Sequence, residues 1–203
     1  MKGEPVCAVI LAAGKSRRMG VNKQLLKLNG MYLLERVIKK VLAHSFDQVI
    51  VVIGFEANRI QQLIQLDSSY IQWVMNADYE KGQSTSFLTA IRHLQKNIQS
   101  AMFFLGDQPF ITNETIESIF EKGRERATSD SGPFVIRPFF EGKPGHPVFW
   151  GNVRLVDFET LSGDKGGRRL MDSFEMGKFS VDDPYVVFDI DTPDDFEEAK
   201  RLS

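Results

Sequence analysis

The chain has 203 residues, 42% of them hydrophobic, and no Pro-, Gly- or Ser-rich linker divides it, so we predict a single domain over 1–203. The net charge of −2 argues against a general nucleic-acid or anionic-membrane binder, and the lack of a spanning apolar stretch or signal-peptide layout predicts a cytoplasmic protein. The single cysteine, Cys7, excludes an internal disulfide and a thiol-rich zinc site, and three dispersed histidines suggest no metal motif.

Strand-like and helix-like segments alternate along much of the chain. Continuous apolar runs predict strands at Val6–Leu11, Gln48–Ile53 and Ala101–Leu105, with a shorter strand at Ile71–Met75. Apolar residues at helical spacing predict helices that contain Leu33 to Leu42, Ile60 to Ile64, Phe87 to Leu94 and Ile116 to Phe120. This alternation predicts an α/β fold with a mostly parallel central sheet and helices on both faces.

The second half of the chain is less regular. Beyond about Ser129, four prolines lie in extended segments that we expect at sheet edges or in a lid. Val186–Phe188 predicts a strand, and Thr192 before Pro193 predicts the capped start of a helix that ends near the C-terminus. Earlier in the chain, the hydroxyl-rich segment Gly82–Ser86 predicts an N-cap for the helix that follows it.

A basic, glycine-containing segment, Ala12–Gly20, directly follows the first predicted strand. Its cations are Lys15, Arg17 and Arg18, and Lys23 follows. Small residues let backbone N–H groups approach phosphate oxygens, and the end of a parallel strand is where open α/β folds bind ligands. The segment is not a P-loop, because Val9 stands where the first glycine would be required. It predicts a polyphosphate site in preference to a solvated basic turn.

Asp107 follows the apolar strand that ends at Leu105. Its carboxylate is therefore expected at the same sheet edge as the basic segment. Mg²⁺ prefers one or two carboxylates together with phosphate oxygens and water. Capping of the turn Gly106–Pro109 is the alternative role for this aspartate, but the neighbouring cations favour a Mg²⁺ ligand.

These motifs together resemble those of the MobA-like nucleotidyltransferases. The signature L-A-A-G-x-S-x-R-M-G followed by a lysine is matched from Leu11 to Lys23, and Gly106–Pro109 matches the G-D-x-P motif. The resemblance implies a single-domain Rossmann-like nucleotidyltransferase fold, with nucleotide bound by about 1–110 and acceptor by about 111–203. It implies catalytic roles for Arg18, Lys23 and Asp107. The residues that it implies for nucleotide binding are Leu11, Ala12, Ala13, Gly14, Lys15, Ser16, Arg17, Gly82 and Ser86.

The resemblance also implies a second metal ligand beside Asp107. Related nucleotidyltransferases place it at the aspartate immediately before Thr-Pro, here Asp191, whereas Asp189 stays open between support and ligation. Two glycine-rich segments, 142–148 and 163–169, look like those of the molybdopterin cytidylyltransferase branch. They imply acceptor contacts from His146, Lys165 and Arg168, with ordinary surface loops as the alternative.

The implied reaction transfers CMP from CTP to the terminal phosphate of molybdopterin and releases pyrophosphate, with Mg²⁺ on Asp107 and Asp191. Ala13 favours cytosine, because family members that use GTP tend to have L-A-G-G. The alternatives are a molybdopterin guanylyltransferase, a sugar- or methylerythritol-phosphate nucleotidyltransferase, and a non-catalytic molybdenum cofactor carrier or insertion chaperone. The expected partners are CTP or another NTP, a molybdopterin-type phosphate acceptor and a molybdenum hydroxylase that receives the product.

Overall fold

A computed structural model of the chain describes residues 4–66, 69–155 and 174–203. In these residues the strands β1 to β10 are Val6–Ala12, Lys27–Leu28, Met31–Tyr32, Gln48–Ile53, Ile71–Met75, Ser100–Leu105, Phe134–Phe140, Lys143–Pro144, Val148–Gly151 and Glu175–Ser180. The α-helices α1 to α5 are Leu33–Leu42, Ala57–Leu63, Gln83–Arg92, Asn113–Ser129 and Pro193–Leu202. None of the helices in these three ranges is both long and apolar enough to cross a bilayer.

The central sheet has the strand order β10-β7-β9-β6-β1-β4-β5, with β8 beside β7. β1, β4, β5 and β6 pair in parallel, while β9 runs antiparallel between β6 and β7. β1 therefore lies inside the sheet, and its carboxyl end lies next to that of β6. Leu11 is opposite Leu105, and the Gly106 amide donates to the Leu11 carbonyl at 3.0 Å. This register brings the basic loop and Asp107 to one edge.

Helices cover both faces of the sheet. Alternate residues of β1 face opposite ways, so Ala8 and Ile10 pack with α1, α2 and α4 while Cys7 and Val9 pack with α3. All six residues of β4 are buried, as expected for a strand enclosed by neighbours and by helices. The predicted α/β fold, with a mostly parallel sheet between helices, is confirmed.

α5 packs at the carboxyl edge of the sheet through a third, smaller apolar cluster. Its buried members are Met19, Leu28, Leu33, Ile190 and Ala199. The predicted cap of α5 is present as a reciprocal pair: the Thr192 hydroxyl accepts from the Asp195 amide at 3.2 Å, and the Asp195 carboxylate accepts from the Thr192 amide at 2.7 Å. The C-terminal segment is thereby fixed beside the basic loop.

Three sequence predictions of local structure were wrong. Val186 and Val187 belong to a 3₁₀ turn, Pro184–Val187, instead of a strand, because the Asp183 carboxylate accepts from the Tyr185 amide and Pro184 favours a helical start. The N-cap of α3 is Gly82, with φ 115° and no side-chain cap, so the hydroxyls that follow it serve other partners. The proline-containing strand β7 has neighbours on both sides, β9 and β10, and is not an edge strand.

Candidate active site

The loop after β1 lines a cavity of about 550 Å³ at the carboxyl edge of the sheet. The predicted site residues that line it are Leu11, Ala12, Ala13, Gly14, Lys15, Arg17, Lys23, Gly82, Ser86, Asp107 and Asp191. Ser16 supports the loop from behind: it has φ 52°, its carbonyl accepts from the Met19 amide at 3.0 Å, and its hydroxyl accepts from the Lys23 amide at 3.2 Å. The loop thus turns sharply at Ser16 and presents its small residues to the cavity.

Lys23 joins the two predicted metal ligands. Its ammonium contacts the Asp107 carboxylate and lies 2.6 Å from Asp191 Oδ1, while Arg18 Nη2 lies 2.6 Å from Asp191 Oδ2. Lys23 begins a 3₁₀ turn that Asn22 caps by accepting from the Gln24 amide at 3.1 Å. The four charged side chains that were expected to converge therefore do so, as a direct ion-pair network.

The backbone holds the two carboxylate-bearing segments together. The Ile190 amide donates to the Asp107 carbonyl at 3.2 Å, and the Ile190 side chain is fully buried. The described segment between Val187 and Pro193 contains no strand, so this bond and the buried side chain orient Asp191.

Burial determines the electrostatics of this network. The side chains of Lys23 and Asp107 are only 11% and 14% exposed. Burial by itself lowers the pKa of Lys23, but the charges and hydrogen bonds of Asp107 and Asp191 outweigh it and hold that pKa above its usual value. Burial raises the pKa of Asp107, and burial together with the charges of Asp107 and Asp191 raises the pKa of Asp189 to about 6. Lys23 is therefore charged at neutral pH.

The two carboxylate oxygens of Asp107 differ in their contacts. Oδ2 contacts Lys23, whereas Oδ1 is inaccessible to solvent and has no hydrogen-bond partner among the described residues. Nowhere in the described ranges do three or more His, Cys, Asp or Glu residues form a metal-holding group. The carboxylate donors at this edge suit an ion that takes only one or two protein ligands, which is the habit of Mg²⁺.

The opposite wall of the cavity is built around Asn76. Its side-chain amide donates to the hydroxyls of Thr85 and Ser86, at 2.9 Å each, and Thr85 donates onward to the Gly82 carbonyl at 2.8 Å. The Ser86 oxygen accepts this one bond from Asn76, so its O–H and a second lone pair are left for a ligand. Asn76 was missed in the sequence, where it is an isolated asparagine after a short strand.

A second cavity, of about 960 Å³, adjoins the first and shares Gln83, Leu105 and Asp189 with it. His146, one of the three predicted acceptor contacts, lines this cavity, whereas Lys165 and Arg168 lie outside the described residues. Burial, reinforced by the positive charge of Arg137, lowers the pKa of His146 to about 4. His146 is therefore neutral at physiological pH.

Other cavity residues were missed by the sequence analysis. The second cavity carries cationic and aromatic side chains from β7, β8 and β10 and from the start of the last described segment, namely Arg137, Phe139, Lys143, Phe174 and Lys178. In the first cavity, Glu80 pairs with the predicted Lys15 at 2.5 Å. In the second cavity, Gln108 Nε2 donates at 2.6 Å to Asp189, which lines both cavities. Lys143 and Gln108 lie within the segments 142–148 and Gly106–Pro109 but were given no role there. The others form no motif, because strand pairing brings them together from separate segments.

The model of the MobA-like NTP transferase domain family matches residues 8–178, which is most of the chain. The chain belongs to the MobA-like NTP transferase family. The family predicted from the sequence motifs is thus confirmed. As a member of this family, the chain is a protein of the nucleotidyltransferase type.

Two curated relatives of this MobA-like protein align over nearly its whole length. The purine catabolism protein PucB of Bacillus subtilis is 28% identical and covers 99% of this chain and 98% of its own. The molybdenum cofactor cytidylyltransferase of Escherichia coli is also 28% identical, over 95% and 94% of the two chains. Relatives at the same distance thus carry different names.

Solved structures show the same fold. Rv0371c of Mycobacterium tuberculosis has a TM-score of 0.81 and 25% identity, over 99% of this chain and 100% of its own. A structure of Rv0371c in complex with manganese has a TM-score of 0.79 and 22% identity, over 98% and 100%.

Proposed function

We propose that this MobA-like protein transfers CMP from CTP to the terminal phosphate of a molybdopterin-type acceptor and releases pyrophosphate. The observation that carries the proposal is the convergence of Arg18 and Lys23 on Asp107 and Asp191, beside a cavity bounded by a glycine-containing loop. A relative named molybdenum cofactor cytidylyltransferase supports the choice of a molybdopterin-type acceptor and of cytosine as the base.

Asp107 and Asp191 would hold a divalent ion, which we propose is Mg²⁺. The unpartnered, buried Oδ1 of Asp107 and the oxygen-only donor set fit such an ion. A mycobacterial structural relative is described in complex with manganese, which supports divalent metal use in proteins of this fold. When bound, the ion supplies positive charge that offsets the charge of the nucleotide phosphates.

The cations of the basic loop would bind the triphosphate. Arg18 and Lys23 are the groups closest to the carboxylates, and we assign to them the compensation of charge on the α-phosphate and the leaving group. Lys15, Arg17 and the backbone at Gly14 would hold the outer phosphates. Ala13, Gly82 and Ser86 would contact the base, and the methyl group of Ala13 favours the smaller pyrimidine.

The acceptor would enter from the second cavity, where the C-terminal half of the chain supplies most of the lining. One oxygen of its terminal phosphate forms a bond to the α-phosphorus while the bond from that phosphorus to pyrophosphate breaks. The attacking phosphate is already ionised at neutral pH, so no general base is needed. The protein's contribution is alignment and charge compensation. A molybdenum hydroxylase is the class of enzyme that would receive the product.

Pyrophosphate release tests the proposal. Purified protein is assayed with each of the four NTPs and with molybdopterin, a sugar phosphate and methylerythritol phosphate as acceptors. We expect turnover with CTP and molybdopterin. Turnover with GTP in place of CTP, or with a sugar phosphate or methylerythritol phosphate but not with molybdopterin, would contradict the proposed substrates. Binding of molybdopterin without nucleotide turnover would favour a carrier.

Two variants test the site assignment in the same assay. Asp107→Ala and Lys23→Ala should each lose a factor of about 100 or more in rate, because each removes charge at the reacting phosphates. The control is Asp130→Ala, which removes a surface carboxylate that pairs with Arg126 away from both cavities. Circular dichroism verifies folding, and unchanged turnover in either site variant would refute the assignment.

A further inference from the structure

The ammonium of Lys23 occupies the space between the two carboxylates that the proposed function assigns to a metal ion. It contacts Asp107 and lies 2.6 Å from Asp191 Oδ1, and only 11% of the side chain is exposed. Arg18 takes the remaining oxygen of Asp191 at 2.6 Å. A cation that belongs to the protein thus already bridges the carboxylate pair.

The four ion-paired side chains balance in charge without a metal, and the neighbouring Asp189 carboxylate is held separately by Gln108, which donates to it at 2.6 Å. Lys23 and Arg18 offset Asp107 and Asp191, and the burial of the Lys23–Asp107 contact strengthens their attraction relative to an exposed pair. A divalent ion that entered alone would have to displace the Lys23 ammonium from Asp107 and leave it buried without its partner. Such a displacement is costly, because a buried charge that loses its partner retains its desolvation penalty.

A nucleotide changes this balance. The triphosphate would enter the cavity that Lys23 lines and offer the ammonium and Arg18 anionic partners of their own. The lysine side chain is a flexible four-carbon stem with a point charge at its end, so it can move from a carboxylate to a phosphate by rotamer changes. Asp107 and Asp191 are then free to bind the ion.

We propose, on the basis of the proposed function, that Lys23 is the resident counter-ion of the carboxylate pair, so that the divalent ion binds strongly only together with the nucleotide. Lys23 then couples the two ligands. By thermodynamic reciprocity, the nucleotide raises the affinity for metal by the same factor by which the metal raises the affinity for nucleotide.

The test uses Mn²⁺ alone, titrated into nucleotide-free protein and followed by the electron paramagnetic resonance signal of the free ion. The wild type should bind weakly, whereas Lys23→Met should bind at least about tenfold more tightly, as the competing charge is removed. Adding Asp107→Asn to Lys23→Met should abolish the gain. The matched control is Lys15→Met, which removes one positive charge from the same cavity. The Lys15 ammonium pairs with Glu80 and not with Asp107 or Asp191.

Equal Mn²⁺ affinity in the wild type and in folded Lys23→Met would overturn the proposal, as would an equal gain in Lys15→Met. In case Lys23→Met does not fold, Lys23→Gln is measured in its place. A second measurement uses wild-type protein only: a non-hydrolysable CTP analogue should increase Mn²⁺ affinity at least about tenfold, and no increase would overturn the coupling. Metal binding without nucleotide requires no turnover, so this result is independent of failure in the pyrophosphate assay.

Discussion

The half-buried imidazole of His146 should make the stability of this protein depend on pH in a defined window. Burial and the charge of Arg137 lower its pKa from 6.5 to about 4, while a hydrogen bond with the Phe103 backbone opposes the shift. Below pH 6.5 the unfolded chain takes up a proton that the folded chain refuses. The free energy of unfolding therefore falls as the pH is lowered through this window, and the loss is complete near pH 4.

The magnitude follows from the size of the shift. A change from 6.5 to about 4 corresponds to at most about 3–4 kcal/mol at about 1.4 kcal/mol per pKa unit. Nδ1 of the ring is inaccessible to solvent and has no partner among the described residues, which supports a large effect. The ring also lines the second cavity, which water can enter, so we expect about half of that maximum, roughly 1–2 kcal/mol.

Guanidinium unfolding at about pH 7 and about pH 4.5 measures the effect. Wild type and His146→Gln are compared, since glutamine cannot take up a proton and the difference cancels the titration of all other groups. The variant should lose roughly 1–2 kcal/mol less than the wild type between the two pH values. His93→Gln, at the exposed histidine that follows the last residue of α3, is the control and should behave like the wild type. An equal pH dependence in wild type and His146→Gln would refute the reasoning.

Further predictions concern the metal and two local structures. Chelation by EDTA should abolish pyrophosphate release, and excess Mg²⁺ should restore it; activity that persists in EDTA would contradict metal use. Gly123→Ala should lose about 1–3 kcal/mol in urea unfolding despite the better helix propensity of alanine, because the new Cβ would lie 2.3 Å from the Phe149 ring. Gly123→Ala combined with Phe149→Leu should regain part of this loss, and a stabilised single variant would disprove the clash. Thr192→Ala should lower the free energy of unfolding by about 1 kcal/mol, because the cap of α5 is lost, whereas Thr192→Ser keeps the hydroxyl and should retain most of the stability in the same urea unfolding measurement.

The buried parallel strands were the most predictable part of the fold. Gln48–Ile53 and Ile71–Met75 match β4 and β5 to the residue, and the first and sixth strands differ by one residue each. Enclosed parallel strands need continuous apolar side chains, so the sequence pattern and the burial coincide. Two predicted helices were too long at their C-terminal ends, because Ile64 and Leu94 lie beyond the observed ends of α2 and α3. Both apolar side chains are buried outside the helix, so the apolar pattern does not mark where the helix stops.

Local side-chain bonds explain where the prediction failed. The run from Val186 to Phe188 has strand propensity, but Asp183 also accepts hydrogen bonds from Thr112 and Thr115 at the start of α4. This long-range tether holds Asp183 where it can cap a 3₁₀ turn. A single-sequence pattern carries no information about such a partner.

The site was predictable as far as topology determines it. Parallel strands have their carboxyl ends at one edge, so the approach of the basic loop to Asp107 follows from the order of the elements. The ion pairs are a different matter, because the contact of Lys23 with both Asp107 and Asp191 depends on how α5 packs. The place of Gln83 in both cavities and the bond from Asn76 to Ser86 also required the structure, since Gln83 had no assigned role within Gly82–Ser86 and Asn76 lies in no motif.

The C-terminal segment belongs to the site because of how it is buried. Asp191 follows Ile190, whose amide is bonded to the Asp107 carbonyl and whose side chain packs with Met19 of the basic loop in the third apolar cluster. Thr192, the residue after Asp191, is the N-cap of α5, and α5 buries Ala199 in the same cluster. One cluster therefore fixes the loop that carries Arg18 and the segment that carries Asp191. Loss of packing in α5 would move a carboxylate relative to its cations, so the chemistry proposed for the cavity depends on the last turns of the chain.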